Sequence, residues 1–336
     1  RNDYGQLGDG SVYNRSVGVE VMNLTGASIC TGTPGSPSAE VCGDSVDNNC
    51  NGVVDDTTPS ACSTCTPATG SCTAGIGACV RSGTRVCGNG GALSAMVGEV
   101  SSYVLMGDGT VRGWGYNGNY NLGDGTTTRR DAPIGVFPTT FTAGTVVQLA
   151  GSYQHECALL ATGQVRCWGY NASGQLGNGT TTTSSTPVTV TDTTTAALTG
   201  ITQVTLGHDH TCALKNNGTV WCWGYNGDGE LGDGTTSTRY SAAVVPNLYG
   251  VIGIGAGWNH TCAVRRNGTV WCWGYNYYGQ LGDGASGGTS GVSSAGVDKY
   301  TPVMVPGFGG ATANVVGTAH STCVRMSDNT VRCWGR

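Results

Sequence analysis

The sequence predicts an all-β fold built as an array of repeated hairpin units. Three observations support this: a hairpin pattern returns five times along the chain, 58 of the 336 residues are glycine, and no helical apolar period of useful length is present. Glycine, threonine and serine in such numbers are typical of short strands joined by tight turns. A pattern repeated at this length indicates units that each bury an apolar face against the next unit.

The hairpins are the first element of each repeat, and four of the five carry two cysteines at one fixed spacing. The fifth hairpin, residues 103–114, has Tyr103 and Gly113 in their places, so both cysteines are lost together. Joint loss is expected of the two halves of one disulfide, whereas free buried thiols, the alternative, need not vanish as a pair. The predicted disulfides are Cys157–Cys167, Cys212–Cys222, Cys262–Cys272 and Cys323–Cys333.

The turn of each hairpin follows from the same register. If Cys212 lies opposite Cys222, the loop is residues 216–218, and a three-residue loop needs a left-handed backbone at its third position, Gly218. Opposed residues of antiparallel strands have Cα atoms roughly 4.5–5.5 Å apart, which overlaps the range of about 4.4–6.8 Å that a disulfide tolerates. The residues predicted at the third position of the other four loops are Gly109, Gly163, Gly268 and Asn329.

A second motif follows each hairpin tryptophan, and together the two motifs resemble a known repeat. It reads YNASGQLGNG, YNGDGELGDG and YNYYGQLGDG from Tyr170, Tyr225 and Tyr275. The alternation of Cys-Ala-Leu, a glycine turn, Val-x-x-Trp-Gly and Asn-x-x-Gly-Gln-Leu-Gly resembles the regulator of chromosome condensation repeat in its bacterial form, over about residues 1–27 and 97–336. The resemblance implies a β-propeller-like array of five four-stranded blades, each of about 50–60 residues.

The two ends of the chain fall at equivalent places in the repeat. Residues 1–10 align with residues 225–234, and Arg1 and Arg336 hold the same repeat position. Members of the family that the chain resembles often complete the last blade with N-terminal residues. We therefore expect residues 1–27 to complete a blade, either of this chain as a closed ring or of a neighbouring copy as a longer array. The register also predicts a processed chain, or part of a longer one, with its export signal upstream.

Composition and charge argue against two classes of function and indicate a compartment. The formal net charge is −5 with no basic run, so a nucleic-acid partner is not expected. No apolar run reaches the roughly 18 residues of a membrane span. The 16 cysteines, an even number, predict disulfides and an oxidising compartment. Together with the resemblance, they predict an extracellular or cell-surface bacterial protein.

Residues 28–96 interrupt the repeat with a cysteine-rich, irregular insert. The segment contains eight cysteines and few large apolar residues, so it needs disulfides or metal to hold a structure. Cys62-x-x-Cys65 leaves zinc open as an alternative, although the segment contains no histidine and disulfides are favoured. The predicted organisation is therefore residues 1–27, the insert 28–96, and propeller repeats over 97–336.

The insert also contains a calcium-type loop. Oxygen-bearing side chains occupy its first, third and fifth places, Gly52 the sixth and a carboxylate the ninth, a spacing that wraps a loop around Ca²⁺. Thr58 stands where a bidentate Glu is usual, and a polar turn without metal is the alternative. The loop also resembles metal-binding repeats of secreted myxobacterial proteins. The expected Ca²⁺ ligands are Asp47, Asn49, Asn51, the carbonyl of Val53, and Asp55 or Asp56.

The recurring histidines are expected to be structural, and no enzyme is predicted. His155, His210 and His260 each lie two residues before a repeat cysteine, and His320 lies three before Cys323. Such periodic placement predicts imidazoles that satisfy neighbouring backbone groups, with a ring of metal ligands in a central channel as the alternative. The sequence contains no phosphate loop and no isolated pair of carboxylates.

Two hypotheses of function remain, and both are non-enzymatic. The first is an extracellular structural or adhesive repeat module, such as a subunit of a filament or tandem surface array. The second is a closed, monomeric propeller that binds or inhibits another protein through loops on one face, as a secreted bacterial relative does to β-lactamase. Either implies a protein partner or self-association. Glycosylation is a further expectation at the sequons of Asn14, Asn23, Asn171, Asn178, Asn217 and Asn267.

Overall fold

The computed structural model describes residues 92–106, 109–136, 145–285 and 298–336. All regular structure in these residues is β-strand, arranged as five antiparallel sheets, four of them with four strands. This confirms the predicted all-β fold of four-stranded blades. The predictions for residues 1–27 and for the insert, including its cysteines and calcium-type loop, fall outside the described residues.

Each sheet takes its strands in chain order, so every blade is a simple meander. The first sheet contains β1 (Ala92–Val97), β2 (Ser101–Met106), β3 (Val111–Gly115) and β4 (Arg130–Val136). The second contains β5 (Val146–Gly151), β6 (His155–Leu160), β7 (Val165–Gly169) and β8 (Ser184–Thr189). The third contains β9 (Ile201–Leu206), β10 (His210–Lys215), β11 (Val220–Gly224) and β12 (Arg239–Val244). The fourth contains β13 (Val251–Ala256), β14 (His260–Arg265), β15 (Val270–Gly274) and β16 (Lys299–Met304). The fifth contains β17 (Ala311–Gly317), β18 (Ser321–Met326) and β19 (Val331–Gly335).

The chain divides into two compact units. Among the described residues, unit 1 comprises 92–95, 102–106, 109–115, 130–136 and 145, which is most of the first sheet. Unit 2 comprises 96–101, 116–129, 146–285 and 298–336, and it contains the other four sheets. The core of unit 2 lies between successive sheets, where the cysteines of one sheet pack against the apolar strand residues and the tryptophan of the next.

The second and third strands of each cysteine-bearing sheet have the predicted register. Each cysteine faces its partner directly, and the structure forms all four disulfides. The paired Cα atoms are 4.1–4.2 Å apart, somewhat closer than predicted and nearer to the narrow pairs of an antiparallel ladder than to the wide ones. The five turn residues have φ between +68° for Asn329 and +78° for Gly109 and Gly218, which confirms the predicted left-handed position.

In unit 1, a ring occupies the place that the disulfide takes elsewhere. Tyr103 is fully buried, and a Cβ atom at Gly113 would lie only 2.9–3.0 Å from two carbons of the Tyr103 ring. Glycine is therefore needed at position 113 to admit the ring. The joint change of both cysteines is explained by packing: one side chain fills the space and its opposite residue vacates it.

The last sheet has three strands among the described residues, and β19 is its edge. Val331 on that strand is 62% exposed, whereas the equivalent Val220 and Val270 are fully buried. A further strand on this edge would pair with β19 and cover Val331. The expectation that the N-terminal residues supply it stays a prediction, because those residues are outside the described part of the chain.

Removing one hairpin disulfide is expected to lower the free energy of unfolding by up to about 3 kcal/mol. The bond between Cys262 and Cys272 closes a loop with a sequence separation of 10, and constraint of the unfolded chain by so short a loop stabilises by roughly that amount. The double variant Cys262→Ala/Cys272→Ala, compared with wild type by urea denaturation, measures the effect. Peptide mapping without reduction checks the pairing, and free thiols or bonds between blades would contradict it.

Candidate functional site

Buried histidines link each sheet of unit 2 to the next. The imidazole Nε2 of His155 lies 2.8 Å from Thr211 Oγ1, and His210 and His260 make the same contact, at the same distance, with Thr261 and Thr322. The expectation that these rings bind neighbouring backbone groups is therefore wrong, because the partner is a side-chain hydroxyl on the next blade. His320 does not share this position, since the equivalent residue in its sheet is Ser321.

The threonine hydroxyls fix the protonation of these rings. Thr211 Oγ1 donates to the carbonyl of Gln175 at 3.0 Å, so its single proton is used and the ring of His155 must donate from Nε2. Thr261 and Thr322 make the equivalent bonds at 3.1 and 2.9 Å. Burial lowers the pKa of all three histidines to about 3, so the rings are neutral. They are separate links between blades, and the structure does not bring them together as metal ligands.

The repeat tryptophans make a second link between sheets, which the sequence reasoning missed. The indole Nε1 of Trp223 donates to the Gln175 carbonyl at 2.8 Å, and Trp273 donates to the Glu230 carbonyl at 2.7 Å. Each indole lies against a glycine of the preceding loop: a Cβ atom at Gly232 would be 2.8 Å from Trp273 Nε1. The Leu-Gly pair that recurs in each second motif is the sequence signal that could have indicated this contact.

Turn residues hold these loops in shape. The Asn226 side-chain amide donates to Asp233 Oδ1 at 3.3 Å and to the carbonyl of Thr235 at 3.0 Å, while its oxygen accepts from the amide of Leu231 at 2.9 Å. The other repeats of the motif use their asparagines in the same way. The recurring aspartates are thus turn residues, and side-chain hydrogen bonds cross-link each loop.

At one of the positions that link successive sheets, the side chain is a carboxylic acid instead of a threonine hydroxyl. Glu156 stands where the third, fourth and fifth sheets have threonine, and it is fully buried. Its Oε1 accepts from Ser101 Oγ at 2.9 Å and from Asn121 Nδ2 at 3.3 Å, while Oε2 has no hydrogen-bond partner among the described residues. Burial raises the pKa of Glu156 to about 8, so this carboxyl is mainly protonated at neutral pH.

In three successive sheets of unit 2, the turn between the first two strands contributes one ring to a row of aromatic side chains. Tyr153, His208 and Trp258 occupy the same turn position in successive sheets of unit 2. The ring of His208 stacks on Tyr153 with centroids 5.0 Å apart and meets the ring of Trp258 edge-on at 5.8 Å. Trp258 is 37% exposed.

The row continues into the next sheet and its preceding loop. His320 lies 5.2 Å from Trp258 and 4.6 Å from Tyr278, measured between ring centroids. Tyr278 in turn contacts Tyr277 at 4.9 Å and Tyr275 at 6.4 Å. We call this set the aromatic band. Its members are Tyr153, His208, Trp258, Tyr275, Tyr277, Tyr278 and His320.

Carboxylates accompany the aromatic band. Asp209 Oδ2 lies 2.7 Å from His208 Nδ1, and this hydrogen bond is the main cause that raises the pKa of His208. Glu99 Oε1 accepts from the indole of Trp258. Asp228 and Glu230 both accept from Asn259, at 3.3 and 3.2 Å. Burial raises the pKa of Glu230 to about 8.

A pocket of about 450 Å³ opens beside the band, within unit 2. It is lined by turn residues of successive sheets, including Glu99, His208 and Trp258, and its walls carry glycine at several equivalent places. Gly207 and Gly257 are required there, because a Cβ atom on either would lie 2.1 Å from the Cε1 atom of a buried histidine. Among the residues that the structure describes, no lysine or arginine lines this pocket.

The described residues also bear on the predicted metal, membrane and glycosylation sites. Within the described ranges, no group of three His, Cys, Asp or Glu residues is arranged to hold a metal ion, and the calcium-type loop lies outside them. No helix suited to crossing a membrane occurs among the described residues. Of the sequon asparagines, Asn217 and Asn267 are exposed in hairpin turns, whereas Asn171 is fully buried.

Comparisons with known proteins identify the family to which these repeats belong. The model described as the regulator of chromosome condensation (RCC1) repeat matches residues 108–159, 162–214, 217–264 and 267–324. The human E3 ubiquitin-protein ligase HERC2 is 35% identical over 133 residues, which is 39% of this chain and 3% of HERC2. The Arabidopsis thaliana mitochondrial RCC1 domain-containing protein RUG3 is 30% identical over 146 residues, which is 42% of this chain and 32% of RUG3.

Solved structures agree on the fold. Yeast RCC1 (Prp20), solved bound to Kap60, has a TM-score of 0.61 at 22% identity, over 73% of this chain and 56% of that one. Human WBSCR16 has a TM-score of 0.61 at 20% identity, over 73% and 61%. Of the two relatives compared by sequence, HERC2 and RUG3, the chain spans less than a third of the length. The bacterial form of the repeat stays a prediction. The matched repeats, with their shared sheets, turns and links, show that the chain belongs to the regulator of chromosome condensation (RCC1) repeat family.

Proposed function

We propose that this chain is a non-catalytic protein-binding module whose contact surface is the aromatic band. The observation that carries the proposal is the band itself: seven neighbouring rings on the turns and loop of one side of unit 2, with Trp258 exposed. Tyrosine and tryptophan are concentrated at the centres of protein interfaces, where they supply large contact areas with little loss of side-chain freedom.

The scaffold supports binding because it holds the band in place before a partner arrives. The turn of His208 follows directly from β9, and His210 two residues later is bonded to the next sheet. Tyr278 lies in a loop whose amide N–H groups are tied to side chains, as in the bond of 2.9 Å from its own N–H to Gln280 Oε1. A preorganised surface loses less conformational entropy on binding than a flexible one.

The chemistry of the buried groups favours binding over catalysis. The titratable groups with the largest pKa shifts outside the band are all buried and hydrogen-bonded, namely His155, His210, His260, Glu156 and Glu230. A catalytic acid or base must reach its substrate, and these groups are fully buried. The proposal that the chain is not an enzyme rests on this placement.

Relatives favour the second of the two hypotheses drawn from the sequence. Prp20p of Saccharomyces cerevisiae is described with binding properties to Gsp1p and histones, and yeast RCC1 was solved bound to Kap60. Gsp1p, histones and Kap60 are partners of the yeast protein. For this chain we propose only that the partner is another protein. Neither these relatives nor the described residues support the structural, filament-forming role. An extracellular location and calcium in the insert also remain proposals from the sequence alone.

Selection of binding peptides tests the proposed surface. A random peptide library displayed on phage is selected against the whole chain, and the enriched peptides are synthesised. We expect Trp258→Ala and Tyr278→Ala each to weaken peptide binding at least tenfold in calorimetry, about 1.4 kcal/mol, because each removes a ring from the contact surface. The matched control is Tyr249→Ala, since Tyr249 is 58% exposed and lies outside the band.

The control separates a specific surface from general adhesion by exposed rings. If Tyr249→Ala weakens binding as much as Trp258→Ala, or if the band variants bind the peptides like wild type, the proposed surface is wrong. Thermal unfolding of each variant shows whether the fold is retained.

A further inference from the structure

We propose that a second surface of unit 2, on the hairpins of its last three sheets, binds an acidic segment of another protein. We call this surface, residues 215–221, 265–271 and 325–332, the hairpin row. It lies at the opposite end of the sheets from the aromatic band, since β10 begins after the turn of His208 and ends at the hairpin turn 216–218. Its basic residues are Lys215, Arg265, Arg266, Arg325 and Arg332.

Main-chain hydrogen bonds hold the three hairpin turns side by side. The N–H of Val251 donates to the carbonyl of Gly218 at 3.1 Å, and the N–H of Arg266 donates to the carbonyl of Gly250 at 2.8 Å. The segment between the third and fourth sheets is therefore bonded to the hairpins of both. An equivalent pair of bonds joins the hairpins of the fourth and fifth sheets. Basic side chains that are far apart in the sequence are thus collected at one end of unit 2.

Three of the five cations lie over aromatic rings. The distances from the charged group to the ring centre are 5.4 Å for Lys215 over Trp221, 5.2 Å for Arg265 over Trp271 and 5.6 Å for Arg332 over Phe308. The three rings are themselves partly buried, so they support the cations from a fixed position. A side chain that is already restricted loses less conformational entropy when it binds a partner.

The other contacts of these cations are with neutral groups. Arg265 Nε donates to the main-chain carbonyl of Tyr249 at 2.8 Å, and Arg325 Nη2 donates to Asn329 Oδ1 at 2.7 Å. Arg332 also donates to a main-chain carbonyl. Among the residues that the structure describes, none of the five basic side chains of the row forms an ion pair. Neutral acceptors fix the position of a guanidinium without cancelling its charge.

The described carboxylates near the hairpin row do not balance its charge. Asp192 and Asp328 act electrostatically on cations of the row, and each accepts a hydrogen bond of 2.6 Å from a threonine of its own turn. Five cations against these two carboxylates leave an excess of positive charge, although the net charge of the whole chain is −5. A local excess of this sign is complementary to an acidic surface of a partner.

The identity of the cations favours carboxylates on a protein segment. Four of the five are arginines, and a guanidinium binds a carboxylate through two parallel hydrogen bonds. The Arg266 side chain is exposed and donates no hydrogen bond to a described residue, so its donors are available to a partner. Nucleic acid fits less well, because its phosphates attract a more extensive basic surface and the net charge of −5 opposes their approach.

Short peptides test the surface on the whole chain. The probe is acetyl-Glu-Gly-Glu-Gly-Glu-Gly-amide, and the matched control has glutamine in place of each glutamate. Titrations use about 50 mM salt, where exposed charges are screened less than at physiological salt. Binding is followed by the indole N–H resonances of Trp221 and Trp271 in ¹⁵N-labelled protein. We expect the glutamate peptide to shift both saturably and to leave the indole of Trp258 unchanged, and the glutamine peptide to bind at least tenfold more weakly.

Two double variants with the same change in net charge locate the binding site. Arg265→Gln/Arg266→Gln is expected to weaken the glutamate peptide at least tenfold. The control is Arg239→Gln/Lys299→Gln, since Arg239 and Lys299 already pair with aspartates and lie at the opposite end of their sheets. It is expected to leave the affinity within about twofold of wild type. Thermal unfolding shows whether each variant keeps the fold.

Three results would overturn the inference. Equal binding of the glutamate and glutamine peptides to wild type would show that charge is not recognised, and this comparison needs no variant to fold. Equal losses in the two double variants would show that the net charge of the chain, not the hairpin row, attracts the peptide. Tighter binding of an oligothymidylate than of the glutamate peptide would show that the partner is a nucleic acid. None of these results bears on the aromatic band, so the proposed function is tested separately.

Discussion

Replacing Gly232 with alanine is expected to lower the free energy of unfolding by about 2–5 kcal/mol. Gly232 has a φ of +67°, which costs a residue with a Cβ atom roughly 1–2 kcal/mol. The added Cβ would also lie 2.8–3.1 Å from three atoms of the Trp273 indole. The indole cannot easily withdraw, because it is buried and bonded to the Glu230 carbonyl at 2.7 Å. Overpacking of this kind typically adds about 1–3 kcal/mol.

Gly250 provides a matched control for that substitution. Its φ is also +67°, yet nothing lies within 4 Å of the position that its Cβ would take. Gly250→Ala should therefore cost only the backbone contribution of about 1–2 kcal/mol. Urea denaturation of the two variants gives the difference, which isolates the contact between the loop and the next blade's tryptophan. Equal losses would show that this contact contributes nothing.

The free energy of unfolding is expected to be greatest near pH 6.5. His155, His210 and His260 have pKa values of about 3 in the folded chain against 6.5 ordinarily, so only the unfolded chain takes up their protons as the pH falls below 6.5. Glu156 and Glu230 have folded pKa values of about 8 against 4.5, so the folded chain keeps protons that the unfolded chain releases above pH 4.5. The histidines therefore cost stability in acid, and the glutamates cost stability as the pH rises towards 8.

The change of unfolding free energy with pH determines the pH at which the chain is most stable. Between pH 4.5 and 6.5 the three histidines outweigh the two glutamates by one proton, so stability rises with pH by about 1.4 kcal/mol per unit. Above pH 6.5 the two glutamates dominate the protonation difference, and stability falls towards pH 8. The raised pKa of His208 acts in the same direction, since its folded form holds a proton longer.

Denaturation at a series of pH values checks this profile, and two variants assign it. Glu156→Gln should roughly halve the fall above pH 6.5, because it removes one of the two protons held there by the folded chain. His260→Gln should reduce the loss in acid, because one fewer imidazole is protonated on unfolding. A profile that is flat between pH 5 and 8 would contradict the assigned protonation of these buried groups.

Local features of the repeat could be predicted from the sequence, whereas contacts between repeats could not. The register of Cys212 and Cys222 and the left-handed turn at Gly218 depend on a few neighbouring residues of one hairpin, so spacing alone determines them. The bond between His210 and Thr261 spans two sheets, and its partner is decided by how blades pack. Spacing could show that the histidine was structural, but not which group it binds.

The aromatic band was missed for a related reason. Tyr153, His208 and Trp258 differ in identity, so they do not form a visible motif, although they share one turn position. Only the side-by-side packing of sheets brings that position together as a row. Aligning the repeats by their disulfides and inspecting the variable columns would have indicated it. Contacts between sheets restrict which residues fit at the linking positions, where only Glu156 departs from threonine in unit 2, whereas the turn position of the band varies freely.

The way in which neighbouring blades meet also bears on how such a chain can change in length. Each loop offers its successor a main-chain carbonyl, as Gln175 does to both Trp223 and Thr211. A main-chain acceptor is the same whatever its side chain, and Asn121, Glu230 and Gln280 serve equally well at this position. This part of the join is therefore independent of the side chain that supplies it, so a duplicated or exchanged repeat would keep the same acceptor for the tryptophan of its successor.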